Sequence, residues 1–121
     1  MGDRGHVLVV DDDFEFVVTL SDILEATGFA VATANDGLEA IEKVKEEAFD
    51  CVLMDIKMAG IDGVEACREI RRVRPEARVV LMTGYVSEEL SQKGLDDGAA
   101  EILYKPFDYK QLISAVQGQP K

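Results

Sequence analysis

Hydrophobic residues recur along this chain with two alternating periods. Five short runs are almost continuously apolar and rich in β-branched residues, which is typical of strands covered on both faces of a sheet. These runs are His6–Val10, Phe29–Thr33, Cys51–Met54, Arg78–Met82 and Glu101–Tyr104. Between and after them, apolar residues stand three or four positions apart, which predicts amphipathic helices packed against that sheet.

The helical segments carry apolar stripes and recognisable ends. The stripes are Val17, Leu20, Leu24 and Thr27; Leu38, Ile41, Val44 and Ala48; Val64, Cys67, Ile70 and Val73; a weaker set between Ser87 and Asp97; and Tyr109, Leu112, Ile113 and Val116. Gly28 predicts the end of the first helix. Three aspartates are followed three residues later by Glu or Gln, the spacing of a capping box at a helix start. The pairs are Asp36–Glu39, Asp62–Glu65 and Asp108–Gln111.

This alternation of strand and helix predicts an α/β fold. We expect a doubly wound, five-stranded parallel sheet in the flavodoxin-like order 2-1-3-4-5, inside a three-layer α/β/α sandwich. Sheets of this kind bind ligands beyond the carboxyl ends of their strands, near the point where the strand order reverses. The residues at those strand ends are therefore the candidates for chemistry.

Charged and hydroxyl side chains follow four of the five predicted strands. They are Asp11, Asp12 and Asp13 after the first, Asp55 after the third, Thr83 after the fourth and Lys105 after the fifth. Crowded carboxylates raise each other's pKa unless a cation offsets their charge. Mg²⁺ prefers hard oxygen ligands, and a carboxylate is a competent nucleophile toward phosphorus. The set predicts a Mg²⁺-dependent phosphoryl site in which Thr83 and Lys105 offset negative charge.

Each of these residues also has a purely structural interpretation. One aspartate of the acidic run is enough to cap the first helix. On this interpretation, Asp55 only begins a glycine-rich turn, and Thr83 with Gly84 only makes a strand-to-helix turn. Lys105 would then be a solvated surface lysine. Their joint occurrence at one edge of the sheet favours the chemical interpretation.

Composition and charge exclude several functional classes. The 121 residues suffice for one domain with a hydrophobic core. A formal net charge of −11 repels polyphosphate, so we expect no direct binding of nucleic acid. No apolar run approaches the ~20 residues of a membrane span, and no signal-peptide pattern is present, so we expect no membrane association and a cytoplasmic location. Cys51 and Cys67 are expected to be reduced and partly buried.

Four motifs at the strand ends resemble those of the response-regulator receiver domain, the phospho-acceptor half of a two-component signalling pair. The motifs are VVDDD, LMDIKMAGIDG, VLMTG and YKPF, in that order. The resemblance runs from about His6 to Val116. It implies a single receiver domain over residues 1–121, with its core at about 6–116.

The resemblance implies that Asp55 takes a phosphoryl group from a histidine kinase or a phosphotransfer protein. A Mg²⁺ ion would be held by Asp12 directly, by Asp11 through water, by the backbone carbonyl of Lys57 and by Asp55 itself. Asp13 matches a position that is often acidic without binding the metal. It is therefore left to cap the first helix or to face solvent.

The same resemblance implies how the signal leaves the site. Thr83 would move to bond the phosphoryl group and Lys105 would pair with one of its oxygens; the Lys105–Pro106 peptide is commonly cis in this family. These movements would repack the face formed by the fourth helix, fifth strand and fifth helix, which would meet a downstream effector or form a phosphorylation-dependent homodimer. The chain would be no enzyme beyond catalysing its own phosphorylation and dephosphorylation.

The chain departs from the family pattern at three places. Ala59 stands where the acceptor loop usually carries Pro. Lys57 and Tyr85 occupy positions that tune the phosphoryl lifetime, so that lifetime does not follow from the pattern. Ile102 occupies the position of the usual aromatic switch residue. Tyr104, on the same face of the strand, or Tyr85 is a candidate substitute; otherwise the chain signals without aromatic coupling. The simpler interpretation, which we favour, makes Tyr104 a packing or interface residue.

Two other functions fit part of the pattern. The run Asp11–Asp13 satisfies the DxD motif of haloacid-dehalogenase-type phosphatases, but the usual Gly-Thr sequel is missing and Asp55 then has no role. The chain is also too short to carry a substrate cap. A phosphorylation-independent, receiver-like binding module has no need of the acceptor residues, yet all of them are present.

Overall fold

The computed structural model describes residues 4–84 and 88–118, and within them all side chains except those of Glu88 and Leu90. Strands and helices alternate throughout. They are β1 (His6–Val10), α1 (Phe14–Ala26), β2 (Ala30–Ala34), α2 (Gly37–Glu46), β3 (Cys51–Asp55), α3 (Gly63–Val73), β4 (Val79–Thr83), α4 (Glu88–Asp96), β5 (Glu101–Tyr104) and α5 (Tyr109–Gln117). None of the described helices is long and apolar enough to cross a membrane.

The strands form one parallel sheet in the order β2-β1-β3-β4-β5, which confirms the predicted fold class. Side chains alternate between the two faces of the sheet, and each face carries its own buried cluster. Leu8, Val52 and Leu81 pack beneath α2, α3 and α4, whereas Val9 and Leu53 pack beneath α1 and α5. The three-layer sandwich is therefore confirmed as well.

Strand boundaries differ from the sequence prediction by one residue at three strands. β2 and β4 begin and end one residue later than predicted, and β3 ends at Asp55. The hydrogen-bond ladder continues past the last apolar residue, because the N–H of Ile56 donates to Met82 and the N–H of Lys105 donates to Thr83. Asp55 and Thr83 are consequently the last residues of strands rather than the first residues of loops. The predicted start of the fourth helix at Ser87 lies outside the described residues.

Aspartate side chains cap four of the helices. Each accepts a hydrogen bond from the backbone N–H three residues later: Asp13 for α1, Asp36 for α2, Asp62 for α3 and Asp108 for α5. The predicted caps at the last three are confirmed. Among these four helices, only α5 has the complete capping box; in α2 the carboxylate of Glu39 instead accepts from the N–H of Asn35, one residue before the cap.

Both cysteines are free, as expected, but they are completely rather than partly buried. Burial raises the pKa of the Cys51 thiol to about 12 and that of Cys67 to about 11. A thiol of such high pKa is inert near neutral pH. Both therefore serve as core residues.

Candidate functional site

The register of the sheet brings Asp11, Asp55 and Thr83 to one crevice. Val10 pairs with Met54 across β1 and β3, so Asp11 and Asp55 follow the same step of the ladder. Asp55 in turn pairs with Met82, directly before Thr83 on β4. The three polar residues are almost completely buried, with exposed fractions of 2% for Asp11, 7% for Asp55 and 2% for Thr83.

Lys105 supplies the positive charge in this crevice. Its Nζ lies 3.2 Å from Asp55 Oδ1 and 3.4 Å from Asp11 Oδ2. The backbone N–H of Lys105 donates to the carbonyl of Thr83 at 2.8 Å, which holds the start of the following loop against β4. The Lys105–Pro106 peptide is cis, as the family resemblance implied. Lys105 is therefore no solvated surface lysine.

The ammonium of Lys105 does not fully offset the cost of burying the charges of Asp11 and Asp55. Burial raises the pKa of Asp55, the negative charge of Asp11 raises it further, and Lys105 offsets only part of the rise. Burial also raises the pKa of Asp11, against the opposing effects of the Asp13 backbone N–H and of Lys105. An additional cation would therefore stabilise the ionised forms of both groups.

The three consecutive aspartates have different surroundings. Asp11 Oδ1 accepts a hydrogen bond from the N–H of Asp13 at 3.0 Å. Asp12 is exposed, and its Oδ2 accepts from the N–H of Ala59 in the acceptor loop at 3.3 Å. Asp13 Oδ1 accepts from the N–H of Phe16 at 3.2 Å and so caps α1. Asp11 thus faces the crevice and Asp12 the acceptor loop, while Asp13 serves as the N-cap of α1.

The oxygen ligands around the crevice suit Mg²⁺. Within residues 4–84 and 88–118, no three His, Cys, Asp or Glu side chains lie close enough together to hold a metal ion unaided. Mg²⁺ does not require such a group, because it commonly binds through one or two carboxylates and keeps several waters. The pKa values of Asp11 and Asp55 are raised, and a divalent cation beside them would lower both. Lys57, whose carbonyl the resemblance assigns to the metal, is exposed two residues beyond Asp55.

Gly63 is a site residue that the sequence reasoning missed. Its N–H donates to the carbonyl of Ile56 at 2.7 Å, which draws the start of α3 against the end of β3. A Cβ at this position would collide with the carbonyl oxygen of Asp55 and would lie 2.9 Å from the Cα of Ile56. The Asp-Gly pair at a helix start was the available signal, although it does not reveal so close an approach.

Phe16 and Phe107 are two further neighbours that the sequence reasoning missed. The Nζ of Lys105 lies 4.3 Å from the centroid of the Phe16 ring. The Phe16 and Phe107 rings meet edge to face, with centroids 6.2 Å apart. A phenylalanine in an amphipathic helix normally signals a core contact, so this arrangement could not be read from the spacing.

The region that the family uses as an aromatic switch differs here. Ile102 is partly buried against the cluster beneath α3 and α4. Tyr104 is 40% exposed, pairs with Thr83 across the sheet, and its hydroxyl lies 2.8 Å from the hydroxyl of Ser91 on α4. Ser91 itself is buried. Tyr85, the other candidate substitute, lies outside the described residues.

The family of the chain follows from a direct match. Residues 7–117 match the family model of the response regulator receiver domain. The chain belongs to this family. The family resemblance seen in four motifs is thereby confirmed. Receiver domains are signalling domains of two-component systems, so the match does not favour the phosphatase alternative.

Similar proteins and solved structures agree with this family assignment. The receiver domain is 43% identical over 111 residues to the transcriptional regulatory protein ZraR of Klebsiella oxytoca; the match covers 92% of this chain but only 25% of that relative. Among solved structures it resembles a Burkholderia pseudomallei response regulator with a phosphorylated aspartic acid, a calcium ion and citrate (TM-score 0.86, 30% identity, 92% of this chain and 65% of that one). It also resembles the CheX–CheY–BeF3–Mg complex of Borrelia burgdorferi (TM-score 0.88, 33% identity, 93% and 87%).

Proposed function

We propose that Asp55 of this receiver domain accepts a phosphoryl group from a histidine kinase or a phosphotransfer protein. The observation that carries the proposal is the buried Asp55 carboxylate, whose Oδ1 lies 3.2 Å from Lys105 Nζ. In the proposed step, a carboxylate oxygen of Asp55 forms a bond to phosphorus while the P–N bond of the phosphohistidine breaks. The released imidazole nitrogen keeps the electron pair of that bond and takes a proton from solvent.

Asp11, Asp12, Asp55 and the backbone carbonyl of Lys57 are the proposed ligands of Mg²⁺. When bound, the ion offsets negative charge on the carboxylates and on the phosphoryl oxygens. The all-oxygen donor set and the raised pKa values of Asp11 and Asp55 support this proposal. The related Borrelia burgdorferi complex contains Mg and BeF3, a further reason to expect Mg²⁺ here.

Lys105 and Thr83 are the proposed partners of the phosphoryl group. The ammonium of Lys105, which pairs with two carboxylates in the unmodified protein, would transfer part of its pairing to a phosphoryl oxygen. The Thr83 hydroxyl would donate to another phosphoryl oxygen from the end of the neighbouring strand. These contacts exist only after phosphorylation, so they can bias the domain toward a second conformation.

The face formed by α4, β5 and α5 is the proposed output surface. Tyr104 on β5 pairs with Thr83 across the sheet, so a movement at Thr83 has a direct neighbour on this face. A downstream effector is the partner we expect there, with a phosphorylation-dependent homodimer as a second form of output. The chain spans a quarter of the length of its ZraR relative, so the output of a complete protein is part of this proposal.

One receiver domain, with its core at about residues 6–116, is the proposed organisation of the chain. The described strands and helices alternate regularly from His6 in β1 to Gln117 in α5. The only proposed catalysis is that of its own phosphorylation and dephosphorylation. Its cytoplasmic location stays a prediction.

The test is an intact-mass measurement after incubation with acetyl phosphate and Mg²⁺. The natural chain should gain the mass of one phosphoryl group, Asp55→Asn should gain none, and the exposed control Asp22→Asn should behave like the natural chain. Labelling that persists in Asp55→Asn, or that is undiminished by a chelator, would contradict the proposal. Absence of labelling would support a phosphorylation-independent module, and turnover of a free phosphate ester would support a phosphatase.

A further inference from the structure

We propose that Phe16 is a positioning residue for Lys105, holding the lysine ammonium at Asp55 through a cation–π contact. The inference deepens the proposed function, because it takes Lys105 as a partner of the phosphoryl group on Asp55. Phe16 would act on the reaction at Asp55 only through Lys105.

The ammonium of Lys105 lies over an aromatic ring face and close to two carboxylates. Its Nζ lies 4.3 Å from the Phe16 ring centroid, within the ~6 Å over which a cation is attracted to an aromatic face. Asp55 Oδ1 lies 3.2 Å and Asp11 Oδ2 lies 3.4 Å from the same Nζ. A lysine ammonium on a flexible four-carbon stem needs such contacts to stay at one place.

Phe16 is itself held from two directions. Its backbone N–H donates to the Asp13 carboxylate in the first turn of α1, at 3.2 Å. Its ring packs edge to face with the ring of Phe107, two residues beyond Lys105, at an interplanar angle of 68°. The ring that faces the ammonium is therefore anchored to α1 and to the loop after β5.

A ring suits this position better than another charged or amide group. An ammonium has three N–H donors, and a further oxygen acceptor at this place would compete with the incoming phosphoryl oxygen for one of them. An aromatic face attracts the charge without offering an oxygen. Lys105 can therefore be held near Asp55 and still donate to the phosphoryl group.

The first test weakens the ring face while almost preserving its shape. Phe16 is replaced by mono-, di- and trifluorinated phenylalanine through site-specific incorporation, since fluorine withdraws negative charge from the ring face. The phosphorylation rate with acetyl phosphate at saturating Mg²⁺ should fall stepwise, by about threefold to tenfold over the series. The same series at the exposed Phe14, which is 75% accessible, should leave the rate unchanged. A flat rate across the Phe16 series would overturn the inference.

The second test is independent of phosphorylation. In the unmodified protein, the Phe16 ring current should shift the NMR signals of the Lys105 ε-methylene protons. Phe16→Leu should move these signals toward ordinary lysine values and lower the phosphorylation rate, and Phe16→Tyr should restore both. Unchanged Lys105 signals in Phe16→Leu would overturn the inference. A natural chain that shows the shifted signals but no phosphorylation would instead refute only the proposed function.

Discussion

Replacing Asp13 with alanine should weaken the fold, whereas replacing Asp12 should weaken Mg²⁺ binding. Asp13 accepts the N–H of Phe16 as the cap of α1. Removing an aspartate cap lowers the free energy of unfolding by about 1 kcal/mol, which lowers the Tm of a domain of this size by roughly 4 °C. Asp12 is exposed and makes a longer hydrogen bond to Ala59, so Asp12→Ala should change metal-free stability by less than about 0.5 kcal/mol.

The effects on Mg²⁺ should be reversed. Losing the Asp12 carboxylate, a proposed ligand of the ion, should weaken Mg²⁺ binding by at least about tenfold, because mutating even an outer partner of a metal ligand typically weakens binding that much. At a Mg²⁺ concentration 100 times the dissociation constant of the natural chain, bound ion adds about 2.7 kcal/mol of stability. With binding tenfold weaker, Asp12→Ala should gain only about 1.4 kcal/mol. Asp13→Ala should keep nearly the full gain.

The measurement is urea unfolding followed by circular dichroism, with Mg²⁺ and with a chelator. Asp13→Ser serves as the matched control, because serine also caps helices and should preserve the stability that alanine loses. Equal losses of the Mg²⁺-dependent gain in Asp12→Ala and Asp13→Ala would refute the division of roles among the three aspartates. So would an Asp13→Ala variant that is as stable as the natural chain in the chelator.

Three further predictions concern the acceptor, the loop behind it and the output face. Burial raises the pKa of Asp55 above the ordinary 3.8. The protonated Asp55 carboxyl therefore adds to the free energy of unfolding at low pH, and this contribution is lost as pH rises through the folded pKa. Without Mg²⁺, Asp55→Asn should therefore unfold at higher urea than the natural chain at pH 7, and this advantage should shrink as pH falls from the folded pKa of Asp55 toward 3.8; a less stable variant at pH 7 would contradict this. Gly63→Ala should lower the free energy of unfolding by more than about 2 kcal/mol, measured in the same way, because its Cβ meets backbone atoms of β3; a near-neutral change would mean that α3 can shift freely. Tyr104→Phe should lose about 0.5–1 kcal/mol with its bond to Ser91 and should leave the phosphorylation-dependent NMR changes of α4 intact; loss of those changes would make Tyr104 the switch.

The fold could be predicted from the sequence because buried positions give the apolar residues a regular spacing along the chain. A parallel strand covered on both faces is nearly continuously apolar, and each helix has one apolar stripe. The ends of strands leave a weaker trace, since the backbone ladder continues past the last apolar side chain. That is why Asp55 and Thr83 were expected one residue outside the strands that contain them.

The candidate site could be predicted only where topology alone brings residues together. Asp11, Asp55, Thr83 and Lys105 lie at strand ends, so the sheet order suffices to place them in one crevice. Contacts that depend on side-chain direction or on close backbone approach leave no periodic trace. The Phe16 ring over Lys105 and the contact of Gly63 with the end of β3 are of this second kind.

The two buried cysteines have a practical consequence for following the output face. Burial raises the pKa of both thiols well above neutral pH, so Cys51 and Cys67 stay protonated and unreactive at pH 7. A cysteine introduced by Gln92→Cys on the exposed side of α4 would therefore react with a maleimide or a spin label long before either of them. The helix that is proposed to move on phosphorylation can thus carry a probe while both native cysteines remain in place.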